Sequence, residues 1–334
     1  MRKQIRGRTA LILGLAVLVM ASCGASGQRE DESKPEEGKT SAAEAAERPA
    51  GEGETYAAEQ MAGKGETFTA EDDADAAIQE ETGTAEAAVQ ETGTVEPGMK
   101  LSILGDSIST FEGWIPEGNS VFYPENGAVK DVSQTWWKIV LDELDLTLCT
   151  NGSSSGSASF GYSQEADPMF GCSDYRISQL AGADGEAPDI IIVYMGTNDV
   201  LMSASVGEND GLRAVEEGLV GSLSDGYTMI LDKIGKQYPA ARVYCCTLLP
   251  VGDWGTTESQ PFVPLINGQK VTSEAYSERI RLIAKNRGLP VIDLEKCGIT
   301  LENMAQMTAD GVHPTPEGMR LIADTVKKSL TGRE

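Results

Sequence analysis

A single histidine, His313, is the entire imidazole complement of these 334 residues. Zinc catalysis generally draws on two or three imidazoles, so a binuclear or histidine-rich centre is excluded, and the sequence implies no metal and no cofactor. Basic residues are also scarce, 27 Lys and Arg standing against 52 Asp and Glu. Neutralising phosphates requires clustered cations, so nucleic acid is not an expected partner. The six cysteines contain no CxxC pair, which removes that metal or redox motif. Cys149, Cys172, Cys245, Cys246 and Cys297 mostly sit in apolar surroundings and read as small buried hydrophobes. One disulfide among them stays open as an alternative outside the cytoplasm.

Near the start, the one long apolar run, Ala10 to Met20, is too short to span a bilayer comfortably. It follows Arg2, Lys3, Arg6 and Arg8 and precedes small residues, the order of an export signal. Its end, Met20-Ala21-Ser22-Cys23-Gly24, resembles the lipobox of bacterial lipoproteins. The resemblance implies acylation of Cys23 and an extracytoplasmic protein joined to the membrane only through that N-terminal lipid. An ordinary cleaved signal with an unmodified cysteine is the alternative. Residues 24–98 are rich in Ala, Glu, Gly, Thr and Ser and carry 20 acids against 5 bases. A segment with so little to bury and so much like charge is expected to be a disordered acidic tether.

From Met99 onward the composition becomes that of one α/β domain, expected over 99–334. Short apolar runs alternate with longer helical patterns, the rhythm of parallel βαβ units. Strands are expected near Leu101–Leu104, Leu146–Cys149, Ile190–Tyr194, Arg242–Thr247 and Pro290–Asp293. Helices are expected over Thr135–Leu144, Arg213–Gln237, Thr272–Asn286 and Pro316–Leu330. The last has Thr315 as cap, Pro316 in its first turn, and Met319, Ile322, Val326 and Leu330 along one face. Right-handed crossovers then build a five-stranded parallel sheet with helices on both faces, whose crevice lies beyond the strands' carboxyl ends.

Four polar segments fall at those strand ends: Gly105-Asp106-Ser107-Ile108-Ser109, Asn151-Gly152-Ser153-Ser154-Ser155-Gly156, Gly196-Thr197-Asn198-Asp199 and Asp310-Gly311-Val312-His313-Pro314. Each alone is common loop chemistry, but their joint placement is not. A serine hydroxyl needs a hydrogen-bonded base to become nucleophilic, and imidazole suits that near neutral pH. His313 is the imidazole available, and Asp310, three residues upstream, could fix its tautomer. The setting is not the Gly-x-Ser-x-Gly elbow of α/β-hydrolases.

These segments resemble the four consensus blocks of the SGNH hydrolase superfamily, also called GDSL esterases/lipases, over roughly Met99 to Leu330. The resemblance implies a flavodoxin-like three-layer α/β/α sandwich and a serine esterase. It also implies Ser107 as nucleophile, Asp310 and His313 as its triad partners, and an oxyanion hole of Ser107, Gly156 and Asn198. Asp-Ser-Ile stands where the family name has Leu. The second-block glycine is ambiguous between Gly152 and Gly156, and Gly156 better fits the family's spacing from Asn151.

Loop aromatics Trp114, Tyr123 and Trp254 are candidate substrate contacts, suited to sugar faces, whereas Trp136 and Trp137 read as core. Without a long apolar lid or a sign of a deep acyl tunnel, the reading leans to short-acyl, acetyl-type esters of carbohydrate, the substrate being a small-molecule or glycan ester. An acyltransferase acting on glycan, a lipase or thioesterase, and a non-catalytic glycan-binding module are the other readings. Oligomeric state is not legible.

Overall fold

The computed structural model describes residues 94–255 and 261–332. The signal segment, Cys23 and nearly all of the expected tether lie outside the described residues. Residues just ahead of the expected boundary at Met99 bond to the domain. Val95 N donates to Leu330 O (3.4 Å) and Gly98 N to Asp145 O (2.6 Å).

Five strands form the principal sheet: β1 (Lys100–Gly105), β2 (Thr147–Asn151), β3 (Ile190–Tyr194), β4 (Arg242–Cys246) and β5 (Val291–Ile292). They lie in the order β2-β1-β3-β4-β5, all parallel. β3 reads Ile-Ile-Ile-Val-Tyr and every residue of it is buried. A parallel strand covered on both faces needs such a continuous apolar run rather than alternation. Four longer helices connect and cover the strands: α1 (Trp136–Leu144), α2 (Leu223–Gln237), α3 (Ser273–Asn286) and α4 (Pro316–Thr331). α1 packs against α4, and α2 against α3. The chain leaves β1 toward β2 on one side and then returns to β3 on the other, so the β1/β3 junction is the topological switch point where such sheets bind ligands.

One expected helix is shorter than its pattern. Rather than starting at Arg213, α2 starts at Leu223, where the Ser222 side chain accepts from Asp225 N. Ahead of it Gly218 has φ of 128°, and Leu219–Val220 pairs antiparallel with Gly161–Tyr162. Leu219, inside the expected helix, is exposed. The glycines and the serine cap outweigh the spacing there. β5 spans only two residues, and β2 begins one residue late, after Asp145 turns the end of α1 with φ of 52°.

The five cysteines of the domain are free thiols, so the disulfide left open by the sequence does not form among them. No helix of the described residues is long and apolar enough to cross a membrane.

A buried polar layer lies under the strand ends. Asp199 is fully buried and accepts hydrogen bonds from Ser159 N (2.9 Å) and the Ser159 hydroxyl. Burial raises its pKa to about 6, although the Ser159 bonds oppose the rise. A carboxyl whose folded pKa exceeds its unfolded value near 4 binds more protons in the native state. Its contribution to stability is therefore fully present below pH 4 and lost as the pH rises through 6. Asp199→Asn removes that ionisation. Relative to wild type, the variant should gain on the order of 2–3 kcal/mol between pH 4.5 and pH 7.5 in denaturant unfolding. A stability difference that does not change with pH would contradict this.

Candidate active site

The turn after β1 is built for close approach. A Cβ on Gly105 would lie 2.7 Å from Ser153 Oγ and 2.9 Å from Ser109 Oγ, so glycine alone fits there. Asp106 caps a single 3₁₀ turn, Ser107–Ser109, its Oδ1 accepting from Ile108 N at 3.1 Å. The buried indoles at the start of α1 hold the same turn. Trp136 Nε1 donates to Ser109 Oγ (3.1 Å) and Trp137 Nε1 to Ser109 O (2.9 Å). Asn151, at the end of β2, donates to that carbonyl at 2.8 Å. These indoles are core, as expected, and their polar edges fix the loop.

Behind the turn, Arg176 is fully buried and donates to Gly105 O and Gly152 O, both at 2.9 Å, and to Pro168 O. It ties the first strand end to the second. Desolvation lowers its pKa to about 10 despite the neighbouring Asp106. Burial likewise lifts Asp106 to about 6, with the Ile108 N–H, the Thr197 hydroxyl, His313 and Arg176 opposing. Asp106 Oδ2 and Thr197 Oγ1 are both buried without a hydrogen bond of good geometry.

The last loop brings His313 to this turn across 206 residues. His313 Nε2 lies 2.9 Å from Ser107 Oγ, and Nδ1 lies 2.7 Å from Asp310 Oδ2. The other oxygen of Asp310 accepts from the backbone N–H groups of Val312 (3.0 Å) and His313 (2.8 Å). Burial alone would raise the Asp310 pKa, but the hydrogen bond and charge of His313 and these two N–H groups hold it below the ordinary carboxylate range. An ionised Asp310 selects the Nδ1–H tautomer and leaves Nε2 as an acceptor for the serine proton. Ser107 is 5% exposed, just enough to reach the surface of the crevice.

The Asn198 side chain donates one N–H to Ser157 O at 2.9 Å, which sets its rotamer and leaves its second N–H free of a protein partner. Gly156 has φ of 81°, a conformation that favours glycine. Among the described residues neither Gly156 N nor Ser107 N donates to a protein acceptor, whereas Gly152 N donates to Ile103 O at 2.9 Å. Of the two glycines in the second segment, Gly156 therefore has the N–H available for a ligand.

The aromatics divide. Tyr123 is corrected from a substrate contact to a buried support: it is wholly inaccessible and its hydroxyl donates to Pro314 O at 3.2 Å. Burial, with Asp310 and Asp106 adding to it, drives its pKa upward and keeps that donor protonated. Trp114 is 40% exposed, its ring 5.7 Å from that of Trp137. Trp254 ends the strand Gly252–Trp254, which pairs antiparallel with Phe262–Pro264. Sequence reasoning missed two contributors. Arg176 is an isolated cation in a chain short of them, and Ser159 lies three residues beyond the serine-rich second segment; neither signal tells a buried partner from a surface residue. The described residues contain no grouping of three His, Cys, Asp or Glu side chains fit to hold a metal.

The family model for GDSL-like lipase/acylhydrolase matches residues 99–251. Among solved structures, the chain is similar to a candidate GDSL-like lipase from Bacteroides uniformis ATCC 8492, at 26% identity and TM-score 0.51, covering 70% of this chain and 96% of that one. Another from Bacteroides ovatus ATCC 8483 shares the fold at 24% identity and TM-score 0.51, covering 70% and 97%. A protein from Lactobacillus plantarum shares it at 20% identity and TM-score 0.52, covering 72% and 99%. No curated protein matches the chain. Residues 99–251 match that family model and hold the first three motif segments, and the five-stranded parallel sheet is shared with the Bacteroides uniformis structure, which supports the SGNH, or GDSL-like, superfamily of carboxylic ester hydrolases.

Proposed function

We propose that the chain hydrolyses esters through an acyl-serine, with Ser107 as nucleophile, His313 as base and Asp310 as the group that orients it. The observation that carries this reading is the unbroken line of hydrogen bonds Asp310–His313–Ser107, at 2.7 and 2.9 Å. Ser107 Oγ attacks the ester carbonyl carbon as its proton passes to His313 Nε2. The carbonyl π electrons move onto oxygen, and the oxyanion is met by the N–H groups of Ser107 and Gly156 and the free N–H of Asn198. Collapse breaks the carbon–oxygen bond to the alcohol, which leaves with the proton from Nε2. Water then repeats the sequence on the acyl-serine, releasing the acid and restoring Ser107. Each preorganised donor lowers the barrier by about 3 kcal/mol.

The substrate class we propose is a short-acyl ester, acetate above all, on carbohydrate. Supporting it is the half-exposed Trp114 ring, on the loop between the Ser107 turn and Tyr123. Indole faces suit the apolar faces of sugar rings. We further propose that Cys23 carries lipid and that the enzyme works outside the cytoplasm. Support for this is the charged, apolar and small-residue order ending at Cys23. Fatty-acid labelling of the expressed chain that persists after Cys23→Ala would refute the anchor.

Ser107→Ala should abolish turnover of p-nitrophenyl acetate with the unfolding midpoint preserved; retained activity would end the acyl-serine reading. Asn198→Ala should lower kcat by about 10²–10³ with a smaller change in KM, because its N–H matters most when charge develops. An equal rise in KM and no loss of kcat would instead make Asn198 a ground-state binding residue. On a panel of acyl glycans, acetate release should exceed release of acids of eight or more carbons. The reverse order would favour a lipase, and transfer of acetate to an added sugar in place of water would mark a transferase.

A further inference from the structure

Phe122 covers the face of the one histidine. Its ring lies 3.7 Å from the His313 ring, centroid to centroid, at an interplanar angle of 10°. Offset or edge-to-face contacts are the usual aromatic preference, so a near-parallel pair this close needs independent anchors. They are present on both partners. Phe122 N donates to Thr110 Oγ1 at 2.9 Å, and Thr110 Oγ1 in turn donates to Ser107 O at 3.1 Å. The next residue, Tyr123, meets the Phe122 ring edge-on at 81° and 4.9 Å, and its hydroxyl fixes Pro314 O, one residue beyond the histidine. The loop that carries Phe122 is thus bonded both to the residue bearing the reactive hydroxyl and to the loop bearing the imidazole.

We infer that Phe122 is a positioning residue for His313, confining the imidazole to the plane in which its proton must travel; this rests on the acyl-serine reading above. Hydrogen bonds at Nδ1 and Nε2 hold the two ends of the ring but leave it free to tilt about the line joining them. A flat neighbour on one face opposes that tilt. It does not oppose sliding within the plane, the motion that carries the proton on Nε2 from Ser107 Oγ to the leaving alcohol oxygen. Aliphatic side chains of similar volume would fill the space without presenting a flat face.

The test compares Phe122→Leu with Phe122→Tyr in the full chain, with Ser107→Ala as control and p-nitrophenyl acetate as substrate. F122L should lose about 10–100-fold in kcat, the scale of a small misplacement of a catalytic group, with KM within about threefold of wild type. F122Y keeps the flat face and should stay within about threefold in kcat. Because His313 is the only histidine, histidine labelled with ¹³C at the ring gives one signal. The part of its displacement due to the stacked ring should persist in F122Y and be lost in F122L, leaving only the smaller effect of the edge-on Tyr123 ring at 6.5 Å. Should F122L fail to fold, Phe122→Met takes its place under the same criteria. Unchanged kcat in the aliphatic variant, or an equal loss in F122Y, overturns the inference. A fully active S107A would instead remove the acyl-serine reading beneath it.

Discussion

Parallel strands can be joined only by crossovers that return the chain to the same end of the sheet, so all five carboxyl ends open on one edge. Everything distinctive in this molecule follows from that constraint. Segments separated by up to 206 residues meet because each follows a strand that points the same way or, for the last, the loop ahead of α4. The order β2-β1-β3-β4-β5 adds a switch point between β1 and β3, which puts the Ser107 turn beside the Asn198 turn.

A crevice at strand ends exposes backbone groups that the sheet no longer pairs, and much of the polar chemistry of the domain answers that need. Arg176 donates to carbonyls of two strand-end loops, Asn151 and the two indoles serve Ser109, and Asp199 accepts from Ser159. Asp106 and Asp199 are held at pKa values near 6 by burial. Both belong to the buried polar layer under the strand ends, Asp106 directly before Ser107. Among the described residues the N–H groups of Ser107 and Gly156 and the second N–H of Asn198 have no protein acceptor, and in the proposed mechanism they meet the oxyanion.

His313 shows how many constraints one side chain can carry. Asp310 sets its tautomer, Phe122 its plane and Pro314, through Tyr123, the course of its loop. Asp310 itself is kept ionised by the hydrogen bond and charge of His313 and by two backbone N–H groups of the same loop, so that the carboxylate, its donors and the imidazole fall within four consecutive residues. That compactness is why the last segment was so readable in the sequence: its geometry is local.

What the amino-acid order determined by itself was whatever depends on neighbours along the chain. The β3 run, the capped start of α4, the glycine before Ser107 and the three-residue spacing from Asp310 to His313 are all of this kind, because strand burial, helix capping and tight turns act over a few residues. Tertiary structure decided what depends on residues far apart. It buried Tyr123 and gave it to Pro314, stacked Phe122 on the imidazole, and sent the lone cation Arg176 inward to carbonyls 24 and 71 residues away. It also bonded the N–H of Gly152 to β1 and left that of Gly156 without a protein acceptor among the described residues. An aromatic ring or a guanidinium has the same local signature on a surface as in a core; only the packing of distant elements around it determines whether it faces water, a substrate or another residue.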